Sequence, residues 1–206
     1  MTVSRETRPP PEAAGAFVHG WDRAQAYAQI LARAGVDRGL IGPREVPRLW
    51  ERHLLNSVVV TSRIPENVTV ADVGTGAGLP GLVWAIARPD LHVTLIEPLL
   101  RRVTFLEETV DELGLENVTI VRSRAEDATG TFDVVTARAV AALDKLMTWC
   151  WPLVAPGGVL LALKGRTAAD EIDEARPTLQ RLGATSVEVR TYGELAVPTT
   201  VVEVSR

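Results

Sequence analysis

Gly74, Gly76 and Gly78 stand at alternate positions in Asp72-Val73-Gly74-Thr75-Gly76-Ala77-Gly78-Leu79-Pro80-Gly81, directly behind the apolar, β-branched run Val68-Thr69-Val70-Ala71. Only glycine lets a backbone turn this tightly while leaving room for a ligand to lie against it. The pattern predicts a buried strand over 68–71 and a helix over 79–88, so the glycines form the turn between them. A second apolar run, Leu91-His92-Val93-Thr94-Leu95-Ile96, ends at Glu97. A carboxylate about twenty residues past the glycines can accept hydrogen bonds from both hydroxyls of a ribose. Together these residues suit a nucleotide-type ligand.

Two ligand classes fit. Read from Gly76, the turn satisfies G-x-G-x-x-G, the dinucleotide pattern. Read from Gly74, it is an acidic residue two positions before G-x-G-x-G, the pattern of S-adenosylmethionine (SAM) enzymes. The glycines alone do not separate the two, and Glu97 serves both. Asp72 favours SAM, because a carboxylate repels a pyrophosphate and attracts the ammonium group of a methionine moiety. Two cationic residues add to the picture. Arg138 follows the strand predicted over 132–136, and Lys164, one of two lysines beside twenty arginines, ends another apolar run. A lysine at the end of a buried strand is hard to explain as surface decoration, which favours a substrate role over a structural ion pair. Cys150 is the only cysteine, which excludes an internal disulfide and a thiolate cluster, and His19, His53 and His92 lack metal-ligand spacing. No metal is expected.

The elements that must position these groups read as an α/β chain. Residues 1–20, with Pro9-Pro10-Pro11, are expected to form a disordered tail, and 21–62 a small helical cap. In the cap, Ala24, Tyr27, Ala28, Leu31 and Ala32 recur at helical spacing, Gly39-Leu40-Ile41-Gly42-Pro43 breaks the helix, and Val46, Leu49, Trp50, Leu54 and Leu55 face inward from a second. From 63 to 206, strands alternate with helices, which predicts a Rossmann-like, mostly parallel sheet. A helix is expected over 100–113 with Gly114 as its cap, a turn at Pro156-Gly157-Gly158, and a helix over 168–182 bent at Pro177. The end differs: strands over 186–190 and 200–204, with no helix between, predict an antiparallel hairpin at the sheet edge. An oxidoreductase would need a substrate domain that the remaining chain is too short to supply.

The 206 residues are 46% hydrophobic and 23% charged with a net charge of −4, ordinary for a globular protein. The N-terminal third is net basic and the remainder net acidic, so a polyanion would approach the N-terminal side more easily. No apolar run reaches the length of a membrane span and the first residues lack a leader's apolar segment, so a cytoplasmic location is expected. Trp50 and Trp84 read as packing residues, Cys150 as a buried apolar residue, and Arg101-Arg102 as a solvated helix start.

The chain resembles the RsmG (GidB) family of class I SAM-dependent methyltransferases, which methylate guanine N7 in 16S ribosomal RNA. The resemblance rests on Arg52-His53-Leu54-Leu55-Asn56-Ser57, on the glycine segment with its Leu79-Pro80-Gly81 ending, on Ser123-Arg124-Ala125-Glu126, on Ala137-Arg138-Ala139-Val140-Ala141 and on Leu163-Lys164-Gly165. Asn56 departs from the family's usual aspartate, and Arg38-Gly39-Leu40-Ile41-Gly42 stands where many members carry Asn-Leu-Thr. The resemblance implies that Gly74, Gly76, Gly78 and Leu79 contact SAM, that Glu97 holds the ribose, that Ala125 and Glu126 flank the adenine, and that Arg138 contacts a ligand. Arg138, Lys164, Arg52 and His53 are then the expected substrate residues, with packing as the competing role for His53. The expected partner is 16S rRNA or the small ribosomal subunit, without membrane or metal. A noncatalytic ribosome-assembly module that retains SAM binding, and an NAD-type oxidoreductase, are the alternatives. Guanine N7 carries an in-plane lone pair and no proton, so its alkylation needs no general base. Arg138 or Lys164 would donate to O6 or to a phosphate.

Overall fold

Residues 7–194 and 198–206 are described by the computed structural model. The chain begins with a short helix α1 (Ala13–Ala16), then α2 (Trp21–Ile30), which widens into a π-helical turn over Leu31–Gly35. A 3₁₀ segment, Pro43–Arg48, leads into π-helical Leu49–Leu55 and α3 (Asn56–Val58). Every apolar residue expected to face inward from these segments is buried. Leu49, Trp50, Leu54 and Leu55 are all buried from this π-helical stretch, whose i→i+5 hydrogen bonds make a wider turn than an α-helix. Part of the expected tail is packed instead. Ala13 and Phe17 are buried in the core, and Phe17 meets Trp50 edge-on at 6.2 Å between ring centroids. The apolar surface they hide outweighs the extended preference of Pro9-Pro10-Pro11. Residues 1–6 lie outside the described ones.

The sheet runs β3-β2-β1-β4-β5-β7-β6. Strands β1 (Thr69–Val73), β2 (His92–Ile96), β3 (Val118–Val121), β4 (Phe132–Arg138) and β5 (Val154–Lys164) are parallel; β7 (Thr199–Ser205) lies antiparallel between β5 and β6 (Ser186–Tyr192). The predicted terminal hairpin is present, with β6 at the edge. Side chains alternate across the sheet as the two-residue repeat requires. Val70, Val134 and Leu161 pack against the cap, α4 (Gly81–Ala87) and α5 (Leu100–Leu113), while Ala71, Val135 and Leu160 pack against α6 (Leu143–Cys150) and α7 (Ala168–Arg181). The cap therefore shares one core with the sheet.

Helix α5 has the predicted bounds and ends at Gly114, whose φ of 58° gives the left-handed cap. The expected turn at 156–158 is corrected: β5 passes through it with a register shift against β4. A Cβ on Gly158 would lie 2.8 Å from the Asp133 carbonyl oxygen, so glycine permits a bulge where a side chain would end the pairing. The order of strands reverses between β1 and β4. In open α/β sheets the crevice outside the carboxyl ends of the strands at such a switch point is where ligands bind.

Candidate active site

The glycine turn leaves the carboxyl end of β1 and is braced by two buried carboxylates. Asp72 Oδ2 accepts from Thr75 Oγ1 at 2.5 Å and from the Gly81 amide at 2.8 Å. Burial pushes its pKa up to about 6, and Oδ1 is buried without a hydrogen-bond partner. Glu97, 1% exposed at the end of β2, accepts from the Gly76 amide through Oε2 and from the Leu99 amide through Oε1, each at 3.1 Å. Arg102 Nη1 reaches Glu97 Oε2 at 3.4 Å, so this arginine belongs to the turn's support and is not the solvated residue expected.

The three glycines are needed for different reasons. All have positive φ, 67°, 61° and 95° for Gly74, Gly76 and Gly78. A Cβ on Gly76 would meet nothing closer than the Gly74 oxygen at 3.9 Å, so its outer face opens onto free space. One on Gly78 would strike Leu82 at 2.4 Å and the Tyr27 hydroxyl at 2.9 Å; that glycine serves packing between cap and turn. Tyr27 itself donates to the Ala77 carbonyl at 2.7 Å. A Cβ on Gly74 would come within 2.9 Å of Val140, which places the loop after β4 directly over the turn. Leu79 is buried at the entrance to α4, and Ala125 and Glu126 form a 3₁₀ turn beyond β3, Ala125 half-buried and Glu126 exposed.

Beside this turn lies a cleft of about 680 Å³ at the ends of β4 and β5, lined among others by Arg52, Asn56, Arg138, Lys164 and Arg166. The structure brings Arg52, His53, Arg138 and Lys164 to this end of the sheet, and all four engage partners that the sequence did not disclose. Arg138 donates from Nη2 to the Arg52 carbonyl at 2.8 Å and toward His53 Nδ1 at 3.1 Å, and from Nη1 to Ser57 Oγ at 3.2 Å. It thus fastens the cap to the end of β4. Glu45 contacts both neighbours: Oε2 lies 3.2 Å from His53 Nε2, and both carboxylate oxygens lie 3.3 Å from Arg52 Nη1. Burial, and next the adjacent Arg138 charge, lower the pKa of His53 to about 4.

Lys164 is an ion-paired residue: Nζ lies 2.6 Å from Glu171 Oε2 and donates to the Ala141 carbonyl at 2.7 Å. Glu171 also accepts from the Leu143 amide at 3.1 Å, so the pair pins both ends of the loop 141–143. The substrate role favoured from sequence therefore competes with a loop-holding role. Lys164→Ala is expected to destabilise the protein by about 1–3 kcal/mol through the unpaired Glu171. The double variant Lys164→Met/Glu171→Gln should recover most of that in thermal denaturation. Methyl transfer that returns along with stability would show the lysine to be structural, whereas transfer that stays lost would place it on the substrate.

Sequence reasoning did not find Glu45, Ser57, Glu171 or Tyr27. Glu45 lies eight residues before His53, a spacing with no local signature, and Glu171 reads as an ordinary acidic residue in the first turn of a helix. Trp50 and Trp84 are buried, and Cys150 is buried with a thiol pKa pushed up to about 12 by burial, all as expected. Among the described residues, no group of three or more His, Cys, Asp and Glu is placed to hold a metal ion, and no helix is long and apolar enough to cross a membrane.

The fold is shared with a SAM-dependent O-methyltransferase from Thermotoga maritima, at a TM-score of 0.59 and 17% identity over 79% of this chain and 69% of that one. The chain is 55% identical to "Ribosomal RNA small subunit methyltransferase G" of Streptomyces avermitilis over 94% of its own length and 83% of the relative's. It is 55% identical to the protein of the same name from Salinispora arenicola over 98% and 89%. Residues 21–196 match the family described as GidB, rRNA small subunit methyltransferase G. The NAD-type reading falls with these matches. A class I SAM-dependent methyltransferase sheet, a glycine turn braced by Asp72 and Glu97, and similarity along nearly the whole chain place this protein in the rRNA small subunit methyltransferase G (GidB) family.

Proposed function

We propose that this chain methylates N7 of a guanine in 16S ribosomal RNA, acting in the cytoplasm on the RNA or on the small ribosomal subunit that contains it. In this reading residues 63–206 form the methyltransferase domain and 21–62 a cap that completes its cleft. The observation that carries it is the placement of an open-faced glycine turn against a basic cleft whose carboxylates are already engaged.

The turn fits SAM. Gly76 presents a face with no side chain, Glu97 is a buried carboxylate at the position for ribose hydroxyls, and Ala125 and Glu126 edge the neighbouring strand for the adenine. Asp72, its Oδ1 unpartnered, supplies negative potential suited to the ammonium group. SAM, when bound, supplies a methyl group on a positively charged sulfur. The chain's own part is to orient the acceptor and exclude water, since bringing reacting atoms to about 3 Å in line accounts for much of such a rate. Glu171 is occupied by Lys164, and Glu45 by His53 and Arg52, which leaves neither poised to remove a proton. An acceptor that needs no deprotonation suits this cleft, and guanine N7 is the most nucleophilic such atom in RNA. The deep, narrow groove of A-form RNA hides N7, so the base must come from an unpaired region.

Methylation at N7 makes the nucleotide sensitive to borohydride followed by aniline. Deleting the gene should remove one such cleavage from 16S RNA, and restoring it should bring the cleavage back. An unchanged pattern would refute the N7 assignment and return the noncatalytic assembly module to consideration.

A further inference from the structure

We propose that His53 is a positioning residue for Arg138: a neutral imidazole, protonated on Nε2 and held by Glu45, whose Nδ1 lone pair fixes the arginine at the mouth of the cleft. The proposal rests on the functional reading above for its activity readout.

The tautomer follows from the partners. An arginine has donors and no acceptor, so Nδ1, 3.1 Å from Arg138 Nη2, must accept and cannot carry the proton. Nε2, 3.2 Å from Glu45 Oε2, faces an acceptor and must donate. Both ring nitrogens are satisfied only by the neutral Nε2–H form. A protonated ring would turn an N–H toward the guanidinium, and the pKa lowered to about 4 is consistent with exclusion of that form. The charged and titratable groups around this site are Glu45, Arg52, Arg138, Asp72 and Tyr27.

The consequence concerns Arg138. Its Nη2 is shared between the Arg52 carbonyl and His53, and its Nη1 reaches Ser57 Oγ, which in turn donates to the His53 carbonyl at 2.6 Å. All these acceptors lie within 52–57, so the imidazole joins an arginine at the end of β4 to the segment that forms the opposite wall of the cleft. Glu45 holds Arg52 as well, so one carboxylate orients two residues at the rim.

Two substitutions separate the two arms of the ring. Asparagine places an oxygen near the Nδ1 position and cannot reach Glu45, whereas glutamine places its amide nitrogen near Nε2 and offers Arg138 nothing. Against small ribosomal subunits with tritiated SAM, His53→Ala and His53→Gln should each lower kcat at least about tenfold. Affinity for S-adenosylhomocysteine should stay within about threefold. His53→Asn should restore most of the turnover lost in His53→Ala. Equal losses in all three variants, following their melting temperatures, would overturn the proposal in favour of simple packing. The tautomer is tested independently of activity by two-bond ¹H–¹⁵N correlation spectra of the imidazole at pH 7. A pyridine-like Nδ1 and a protonated Nε2 are expected. An Nδ1–H tautomer or an imidazolium would overturn the proposal even if methylation proceeds, and the expected tautomer in an enzyme that leaves guanine N7 unmodified would locate the failure in the functional reading.

Discussion

Gly76→Val is expected to abolish S-adenosylhomocysteine binding while the protein still folds. Residue 76 has φ of 61°, where a β-branched side chain is strained by about 1–3 kcal/mol, so some loss of stability accompanies the change. Beyond that strain, a Cβ at this position meets no close neighbour, the nearest atom being the Gly74 oxygen at 3.9 Å. The valine therefore occupies the open face of the turn, where the ligand would lie. Calorimetry should show at least about a hundredfold weaker binding, about 2.8 kcal/mol. Gly78→Val is the contrasting case, because a Cβ there collides with Leu82 and the Tyr27 hydroxyl, and thermal denaturation should report a loss of the fold itself. Wild-type affinity in Gly76→Val would remove the turn from the cofactor site.

The difference between those glycines also marks how far the sequence could be read. Spacing announced that the turn needs glycine, and it placed Glu97, Arg138 and Lys164 at strand ends, because strand, turn and helix signals are local. Helix α5 was legible to the residue for the same reason: an apolar face carried through Leu113 and a glycine free to turn left-handed. What the sequence hid was partnership across the chain. Arg138 and Ser57 are 81 residues apart, and Tyr27 and Ala77 are 50 apart, with no pattern linking either pair. Five-residue recurrence at Leu49-Trp50 and Leu54-Leu55 reads as an ordinary amphipathic helix until packing shows the wider turn. Phe17 followed a proline run that suggested an extended tail, and its burial against Trp50, 33 residues on, has no local signature.

Arg138→Ala is expected to give the second large effect, and through the cap. Its guanidinium is half-buried and donates to three acceptors on 52–57, so truncation leaves the Arg52 carbonyl and His53 Nδ1 without that donor and loosens the cap from β4. Losing the charge-assisted hydrogen bonds to these partly exposed groups costs about 1–3 kcal/mol, or roughly 2–12 °C in melting temperature for a chain of this size. The glycine turn and Glu97 are not among its partners, so S-adenosylhomocysteine should bind within about threefold of wild type. Methyl transfer should fall at least about a hundredfold, because the cleft wall that carries Arg52 and Asn56 is no longer held against the reacting end of the sheet. Arg138→Lys separates charge from geometry, since an ammonium keeps the cation but cannot reproduce the planar fork that spans these acceptors. If position rather than charge matters, the lysine variant recovers little turnover. A loss of S-adenosylhomocysteine binding in Arg138→Ala would instead assign the arginine to the cofactor, and near-normal turnover would show that neither the arginine nor the docking of the cap contributes to the reaction.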